Sequence, residues 1–151
     1  MPGSMIPFKL QRPRDINLEI AIGSEVATKE FYIFKEIALN TFDKKLAQER
    51  SLTEPIKQTL KIEVIPLGEI LQKHCSQNQK IDFLSIDVEG LDFEILRTND
   101  WGKFRPQLLC VEIYAKNINE VLAHEIYIYL VASGYQIIYR VNNSCFFELQ
   151  S

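Results

Sequence analysis

Acidic side chains follow two predicted buried strands, at the point where each strand ends. Asp87 and Glu89 come directly after the apolar segment 81–86, and Glu112 lies near the end of the segment 107–113. In an open α/β sheet, ligands bind beyond the carboxyl ends of the strands, so these carboxylates are candidate site residues. A carboxylate there accepts hydrogen bonds from the ammonium or hydroxyl groups of a ligand, or acts as a general base.

A single glycine, Gly90, separates the first two carboxylates from a predicted helix that begins near Asp92. Glycine lets the backbone turn sharply, and we expect a positive φ at this position. The helix N-terminus that follows favours nearby negative charge. The residues alone leave two interpretations open: Asp87 and Glu89 take part in chemistry beside a cavity, or they merely cap the helix.

Alternating or continuous apolar segments predict the elements that position these residues. The predicted strands are residues 17–22, 30–34, 60–65, 81–86 and 107–113, with a closing hairpin of 135–141 and 145–149. Capping residues and apolar steps of three and four residues predict helices at 53–59, at 67–77, from Asp92, and from Asn117 to Gly134. This order predicts an α/β fold with a largely parallel sheet, in which strand 81–86 is central and buried on both faces.

Composition excludes several classes of protein. The 151 residues include 17 basic and 20 acidic side chains, and a net charge of −3 argues against nucleic-acid binding by phosphate neutralisation. The sequence contains no run of 18 apolar residues that would predict a membrane span, and no secretory signal pattern is recognised in it. The cysteines Cys75, Cys110 and Cys145 are widely spaced, which is typical of reduced thiols in a cytoplasmic protein. Residues 1–4 resemble a cloning remnant, and 5–151 are expected to form one domain.

The segment IDFLSIDVEG, residues 81–90, followed by LDFEIL, resembles the most recognisable part of the FkbM family of S-adenosylmethionine-dependent methyltransferases. In that family, a strand ending in an Asp-Val-Glu-Gly motif leads straight into a helix. The neighbouring elements are similar in order. Residues 17–23 resemble the family's N-x-A-I-G strand, and residues 108–113 resemble the strand after the motif.

The resemblance implies a Rossmann-like methyltransferase domain that methylates a hydroxyl oxygen of a small molecule or sugar, with S-adenosylmethionine as cofactor and no essential metal. Asp87 is the first choice for the catalytic base and Glu89 the second. Ala21, Ile22 and Asp87 are the residues expected to contact the cofactor. Neither nucleic acid nor a membrane is an expected partner.

One departure from the family concerns glycine. The fold holds its cofactor with a glycine-rich turn after the first strand, but no two of the six glycines here lie within ten residues of each other. The chain therefore resembles the family from its third strand onward, as a partial domain whose sheet is incomplete at the N-terminal side and ends in an antiparallel hairpin. The alternative is a non-catalytic fragment or pseudoenzyme that keeps the fold without binding cofactor.

The remaining candidates are structural. His74 and His124 are isolated, and zinc sites need clustered ligands, so we interpret both as ordinary helix residues. A strand 81–86 left without a neighbour on one edge invites pairing with another chain, unless residues 18–22 cover it. We therefore predict a homodimer.

Overall fold

The computed structural model describes residues 5–76, 79–88 and 90–150, and they divide into two compact units that meet in sequence between Ile65 and Pro66. The N-terminal unit contains α1 (Met5–Gln11), β1 (Ala21–Ile22), β2 (Ala27–Phe34), a 3-10 helix (Ile37–Leu39), α2 (Lys44–Arg50) and β3 (Ile56–Ile65). The C-terminal unit contains α3 (Leu67–His74), β4 (Phe83–Ile86), α4 (Asp92–Arg97), β5 (Leu108–Glu112), α5 (Ile118–Leu122), α6 (Glu125–Ala132), β6 (Tyr135–Val141) and β7 (Ser144–Leu149).

The N-terminal unit is built on a sheet of order β1-β3-β2, in which β1 pairs parallel and β2 antiparallel with β3. The predicted strands 30–34 and 60–65 are confirmed and are longer than expected, because each is extended by pairing with the other. Only Ala21 and Ile22 of the predicted strand 17–22 pair, with Val64 and Ile65.

The helix predicted over 53–59 is wrong. The helix of this region is α2, which begins after Asp43, whose side chain accepts hydrogen bonds from the amides of Lys45 (2.7 Å) and Leu46 (3.1 Å). Ser51, taken as the start of a helix, instead ends α2, with its amide donating to the Ala47 carbonyl. Antiparallel pairing with β2 then holds residues 56–65 in an extended conformation.

The C-terminal unit has a sheet of order β4-β5-β7-β6, in which β4 and β5 are parallel and the other pairs antiparallel. The expected largely parallel sheet is therefore wrong for the described residues, although the α/β class and the C-terminal hairpin are confirmed. The predicted helix 117–134 is two helices, α5 and α6, since His124 caps α6 by accepting a hydrogen bond from the Ile126 amide (3.3 Å).

The core of this unit lies between the sheet and its helices. Its buried side chains are Leu67, Ile86, Ile95, Leu96, Leu109, Val111, Ile113, Val121, Ile126, Leu130, Tyr135, Cys145 and Phe147. Tyr135 fits among apolar neighbours because its hydroxyl donates to the Pro106 carbonyl (2.8 Å), and burial raises the pKa of this phenol to about 12.

Strand β4 is an edge strand within the described sheet, which contradicts the prediction of a central strand buried on both faces. Ile86 is buried, but Phe83 is 52% exposed and Ser85 is exposed as well. The strand's apolar composition suggested burial on both sides, whereas only β5 pairs with it among the described strands. Residues 21–22, considered as a cover for this edge, pair with β3.

Candidate active site

The turn between β4 and α4 carries the motif residues. Gly90 has φ +91°, as predicted, and a Cβ built on it meets no atom within 4 Å from the other described residues beyond its immediate neighbours. The amide of Leu91 donates to the Val88 carbonyl (3.3 Å), which closes the turn. The Gly90 amide donates to Oδ2 of Asp92 (3.2 Å), so the first helical side chain holds the backbone of the turn that precedes it. Asp87 is exposed at the start of the turn, and Glu89 lies outside the described residues.

Strand β5 places a second carboxylate at the same edge. The parallel register pairs Ser85 with Cys110 and Ile86 with Val111, so one further step along both strands brings Asp87 beside Glu112. The Tyr114 hydroxyl donates to Oε2 of Glu112 (2.7 Å). The sequence-based expectation that acidic side chains meet at the carboxyl ends of these strands is consistent with this register.

Asp92 is the buried member of the group, with only 2% of its surface exposed. Burial raises the pKa of its carboxyl group, hydrogen bonds from the backbone of Asp92 and Gly90 oppose that rise, and the negative charges of Asp87 and Glu112 add to it. We call Asp87, Asp92 and Glu112 the acidic edge.

Cys110 lies beside the acidic edge. Burial raises the pKa of its thiol, a hydrogen bond with the Ser85 side chain opposes the rise, and the charges of Glu112 and Asp87 add to it. A thiol with a raised pKa is protonated at neutral pH and is a poor nucleophile. Covalent catalysis through Cys110 is therefore disfavoured.

Sequence reasoning missed Asp92 and Tyr114 as members of this site. A usable signal for Asp92 was present, since an acidic residue two positions after a positive-φ glycine is placed to accept the glycine amide. Tyr114 lies beyond the predicted strand and gave no comparable signal. His124 is a helix cap, and no group of metal-binding side chains occurs among residues 5–76, 79–88 and 90–150.

The other predicted cofactor residues lie in the N-terminal unit. Ala21 and Ile22 form β1, and the amide of Gly23 after them donates to the Ile65 carbonyl (3.3 Å). Gly23 permits this close approach, because a Cβ there would lie 2.3 Å from Cγ1 of Val64. That Ala21 and Ile22 contact a cofactor remains a prediction.

The α/β class and the strand-turn-helix at Gly90 agree with the expectations drawn from the sequence. The family model described as "Methyltransferase FkbM domain" matches residues 2–137 of the chain. The chain belongs to the FkbM methyltransferase family. No curated protein and no solved structure matches it. Within the described residues, no helix is long and apolar enough to cross a membrane.

Proposed function

We propose that the chain methylates a hydroxyl oxygen of a small molecule or sugar with S-adenosylmethionine, within a Rossmann-like fold and in the cytoplasm. The observation that carries the proposal is the turn at Gly90, which presents exposed Asp87 next to Glu112 at the carboxyl ends of two parallel strands. This placement at a strand edge is where α/β folds bind their ligands.

The fit of the described residues to S-adenosylmethionine rests on the turn at Gly90. Beyond its immediate neighbours, the described part of the chain places no atom within 4 Å of a Cβ built there, which favours close approach of a ligand to the backbone. Asp87 is the residue beside this turn that we propose to contact the cofactor. When bound, S-adenosylmethionine supplies a methyl group activated by its positive sulfonium.

The residues of the chain orient the acceptor and remove its proton. Asp87 is the proposed general base, because it is exposed at the strand end and carries a carboxylate that accepts the hydroxyl proton as the oxygen becomes methylated. Glu89 is the second proposed base. Asp92 is excluded from direct contact with a large acceptor by its burial, and it holds the turn through the Gly90 amide. Alignment of the reacting groups supplies much of the rate enhancement in such a reaction.

Titration calorimetry with S-adenosylmethionine tests cofactor binding, and transfer of a labelled methyl group to a panel of monosaccharides tests the reaction. We expect binding in the micromolar range, with transfer reduced by roughly 10²-fold or more in Asp87→Asn. Asp82→Asn is the matched control, because Asp82 is an exposed aspartate just before β4. Equal activity of the two variants would contradict the assigned base.

A non-catalytic role is the second candidate, and the scattered glycines favour it, since no glycine-rich cofactor turn is present in the sequence. The same calorimetry distinguishes the two. Absence of binding at millimolar S-adenosylmethionine would support the non-catalytic role, whereas micromolar binding would exclude it.

We also propose a homodimer formed through β4. Only β5 pairs with this strand among the described strands, and Phe83 is 52% exposed on it. An unpaired edge with an exposed apolar side chain favours pairing with a second copy of the chain. Light scattering is expected to show a dimer that Phe83→Lys converts to a monomer, and a wild-type monomer at high micromolar concentration would contradict this.

A further inference from the structure

The sheet of the C-terminal unit has one face that is covered by helices. Successive side chains of a strand point to opposite faces, and Leu109 and Val111 of β5 share a face with Phe147 and Cys145 of β7. These four side chains are buried in the core together with apolar side chains of α3, α4, α5 and α6. The four helices therefore pack on this face, which we call the core face.

The opposite face, which we call the open face, carries the alternate residues of the same strands. By the strand register, its members are Phe83, Ser85, Leu108, Cys110, Glu112, Gln136, Tyr139, Val141, Ser144, Phe146 and Glu148. Within the described part of the chain, none of their apolar side chains belongs to the core or packs against it. Phe83, Tyr139 and Val141 are 52%, 65% and 47% exposed. Large apolar side chains exposed on one face typically mark an interaction surface.

The charged residues of the open face are both acidic. Glu112 lies at the carboxyl end of β5, and Glu148 pairs with Leu108 at the amino end of the same strand. Arg140 is the basic residue of these four strands, and it lies on the core face because it pairs with the core residue Cys145. An apolar face with only negative charge repels anionic partners such as nucleic acid and acidic lipid, and it attracts a basic one.

The positions of the two glutamates limit the shape of the partner. Leu108 and Glu112 are four residues apart, so Glu148 and Glu112 lie about 13 Å apart along the strands. Residues seven apart in an α-helix share a face and are separated by about 10.5 Å along its axis, and long basic side chains span the remainder. Strands β5 and β7 are paired on both sides, so a partner packs on their side chains rather than adding a strand to them.

We propose that the open face binds an amphipathic helix of another protein, in which two basic residues about two turns apart flank an apolar stripe. One basic side chain pairs with Glu112 and the other with Glu148. The apolar stripe covers Phe146 and Tyr139, whose ring centroids lie 6.2 Å apart. This inference is independent of the proposed function, because the helix needs neither a cofactor nor a methyl acceptor in order to bind.

The binding experiment uses a labelled synthetic peptide of about 15 residues, built from alanine, leucine and lysine. Its leucines follow steps of three and four residues and its lysines are about seven residues apart, which gives a helix of the proposed pattern. The counterpart peptide has glutamate in place of each lysine. Fluorescence anisotropy measures the affinity of both peptides for the full chain without cofactor.

We expect the lysine peptide to bind saturably in the micromolar range and the glutamate peptide to bind at least about tenfold more weakly. Raising the salt concentration is expected to weaken binding of the lysine peptide. The backbone amide NMR signals of Cys110 and Phe146, which pair at the middle of the open face, are expected to shift on binding. Signals from α6, on the covered side of the sheet, are expected to stay unchanged.

Variants assign the binding to the open face. Glu148→Gln is expected to weaken binding of the lysine peptide roughly tenfold, because a charged hydrogen bond is lost. Its control is Glu125→Gln, since Glu125 is an exposed carboxylate of α6. Tyr139→Thr is expected to weaken binding roughly fivefold or more through loss of apolar contact. Its control is Ile118→Thr, which removes an exposed apolar side chain from α5 and should bind like the wild type.

Four results would overturn the proposal. These are the absence of saturable binding by the lysine peptide, equal affinity for the two peptides, equal weakening by Glu148→Gln and Glu125→Gln, and a dimer that Tyr139→Thr converts to a monomer in light scattering. The last result would show that a second copy of the chain covers the open face. Because the peptide titration contains no cofactor, a failure to bind S-adenosylmethionine would count against the proposed function alone.

Discussion

The two units of the chain differ in how much they bury and in what they bury. The N-terminal unit has a small core of Tyr32, Phe34 and Ala47, with Leu39 and Ile56 packed against it. The C-terminal unit has a large core that joins its sheet to four of its helices, and it also contains the buried carboxylate of Asp92. The proposed catalytic carboxylates therefore lie in the unit with the larger core, which favours the rigid support that a precise site needs.

The difference shows that a local sequence motif marks the C-terminal unit, whereas the N-terminal unit depends on pairing between strands. The Asp-Val-Glu-Gly motif and the residues around it follow a short strand that packs on the large core through Ile86. The N-terminal unit relies instead on long antiparallel pairing between β2 and β3, with most of their side chains at least partly exposed. Substitutions of the same type in each unit test this comparison.

The largest effect is expected from removing a core phenylalanine. Phe147 is 0% and Phe34 is 2% exposed, so both are buried, but only Phe147 belongs to the large core. Phe147→Ala is expected to lower the free energy of unfolding by about 3 to 5 kcal/mol. Phe34→Ala is expected to cost less than about 3 kcal/mol, because a small cluster collapses more easily around a cavity.

Urea unfolding measures the two free energies, and hydrogen exchange locates the change. Phe34→Ala is expected to speed exchange in β2, β3 and α2 but not in the C-terminal unit, since those elements supply its cluster. If the two variants lost equal stability, the proposed difference between the cores would be incorrect.

The next effect concerns the turn. Gly90→Val places a β-branched residue at φ +91°, and we expect a loss of about 1 to 3 kcal/mol. Cofactor binding is expected to fall as well, because the backbone of Asp87 and Val88 must shift. Gly102→Ala is the control: Gly102 has no positive φ, and a Cβ there meets only Oδ1 of the exposed Asp100 side chain (3.2 Å), so a change of less than about 1 kcal/mol is expected. Full cofactor binding by a folded Gly90→Val variant would show that the turn is not part of the site.

Much of the C-terminal unit could be predicted from the sequence, because its turns and helix caps are determined by residues close together in the chain. A positive φ at Gly90 follows from its position between a strand and a helix, and the Asn117 cap follows from Glu120 three residues later. The hairpin at Asn142 is likewise encoded by a few adjacent residues, and Asn142 has φ 53°.

What could not be predicted depends on contacts between segments distant in sequence. The segment 35–50 has no apolar periodicity, so its helix α2 gave no sequence signal other than the cap at Asp43. The edge position of β4 depends on which strands pair with β5. The burial of Asp92 depends on the packing of α4, whereas the sequence alone places an acidic residue of a first helical turn in solvent.

A smaller effect is expected at the helix caps, one in each unit. Asp43 accepts from two amides of α2, and Asn117 accepts from the Glu120 amide of α5 (3.1 Å). Asp43→Ala and Asn117→Ala are each expected to cost about 0.5 to 2 kcal/mol by loss of those hydrogen bonds. The exposed neighbours Lys44 and Asn119 provide alanine controls that should change stability by less than about 0.5 kcal/mol. Thermal unfolding followed by circular dichroism measures all four variants.

The last prediction concerns how the free energy of unfolding changes with pH, rather than a loss of fixed size. Burial raises the pKa of Asp92 above its ordinary value of 3.8, so the native state holds this proton more tightly than the unfolded state does. Below the unfolded pKa, the resulting stabilisation is fully present, and it is lost as the pH rises through the folded pKa. The N-terminal unit has no buried charged residue among those described, so the effect is assigned to the C-terminal unit.

Asp92→Asn is expected to remove this dependence: its stability relative to the wild type should improve as the pH is raised from about 4 toward neutrality. Urea unfolding across that range measures the difference, with the exposed Glu94→Gln as control. Parallel pH profiles for wild type and Asp92→Asn would mean that Asp92 ionises equally easily in both states, which would contradict the rise in pKa attributed to its burial.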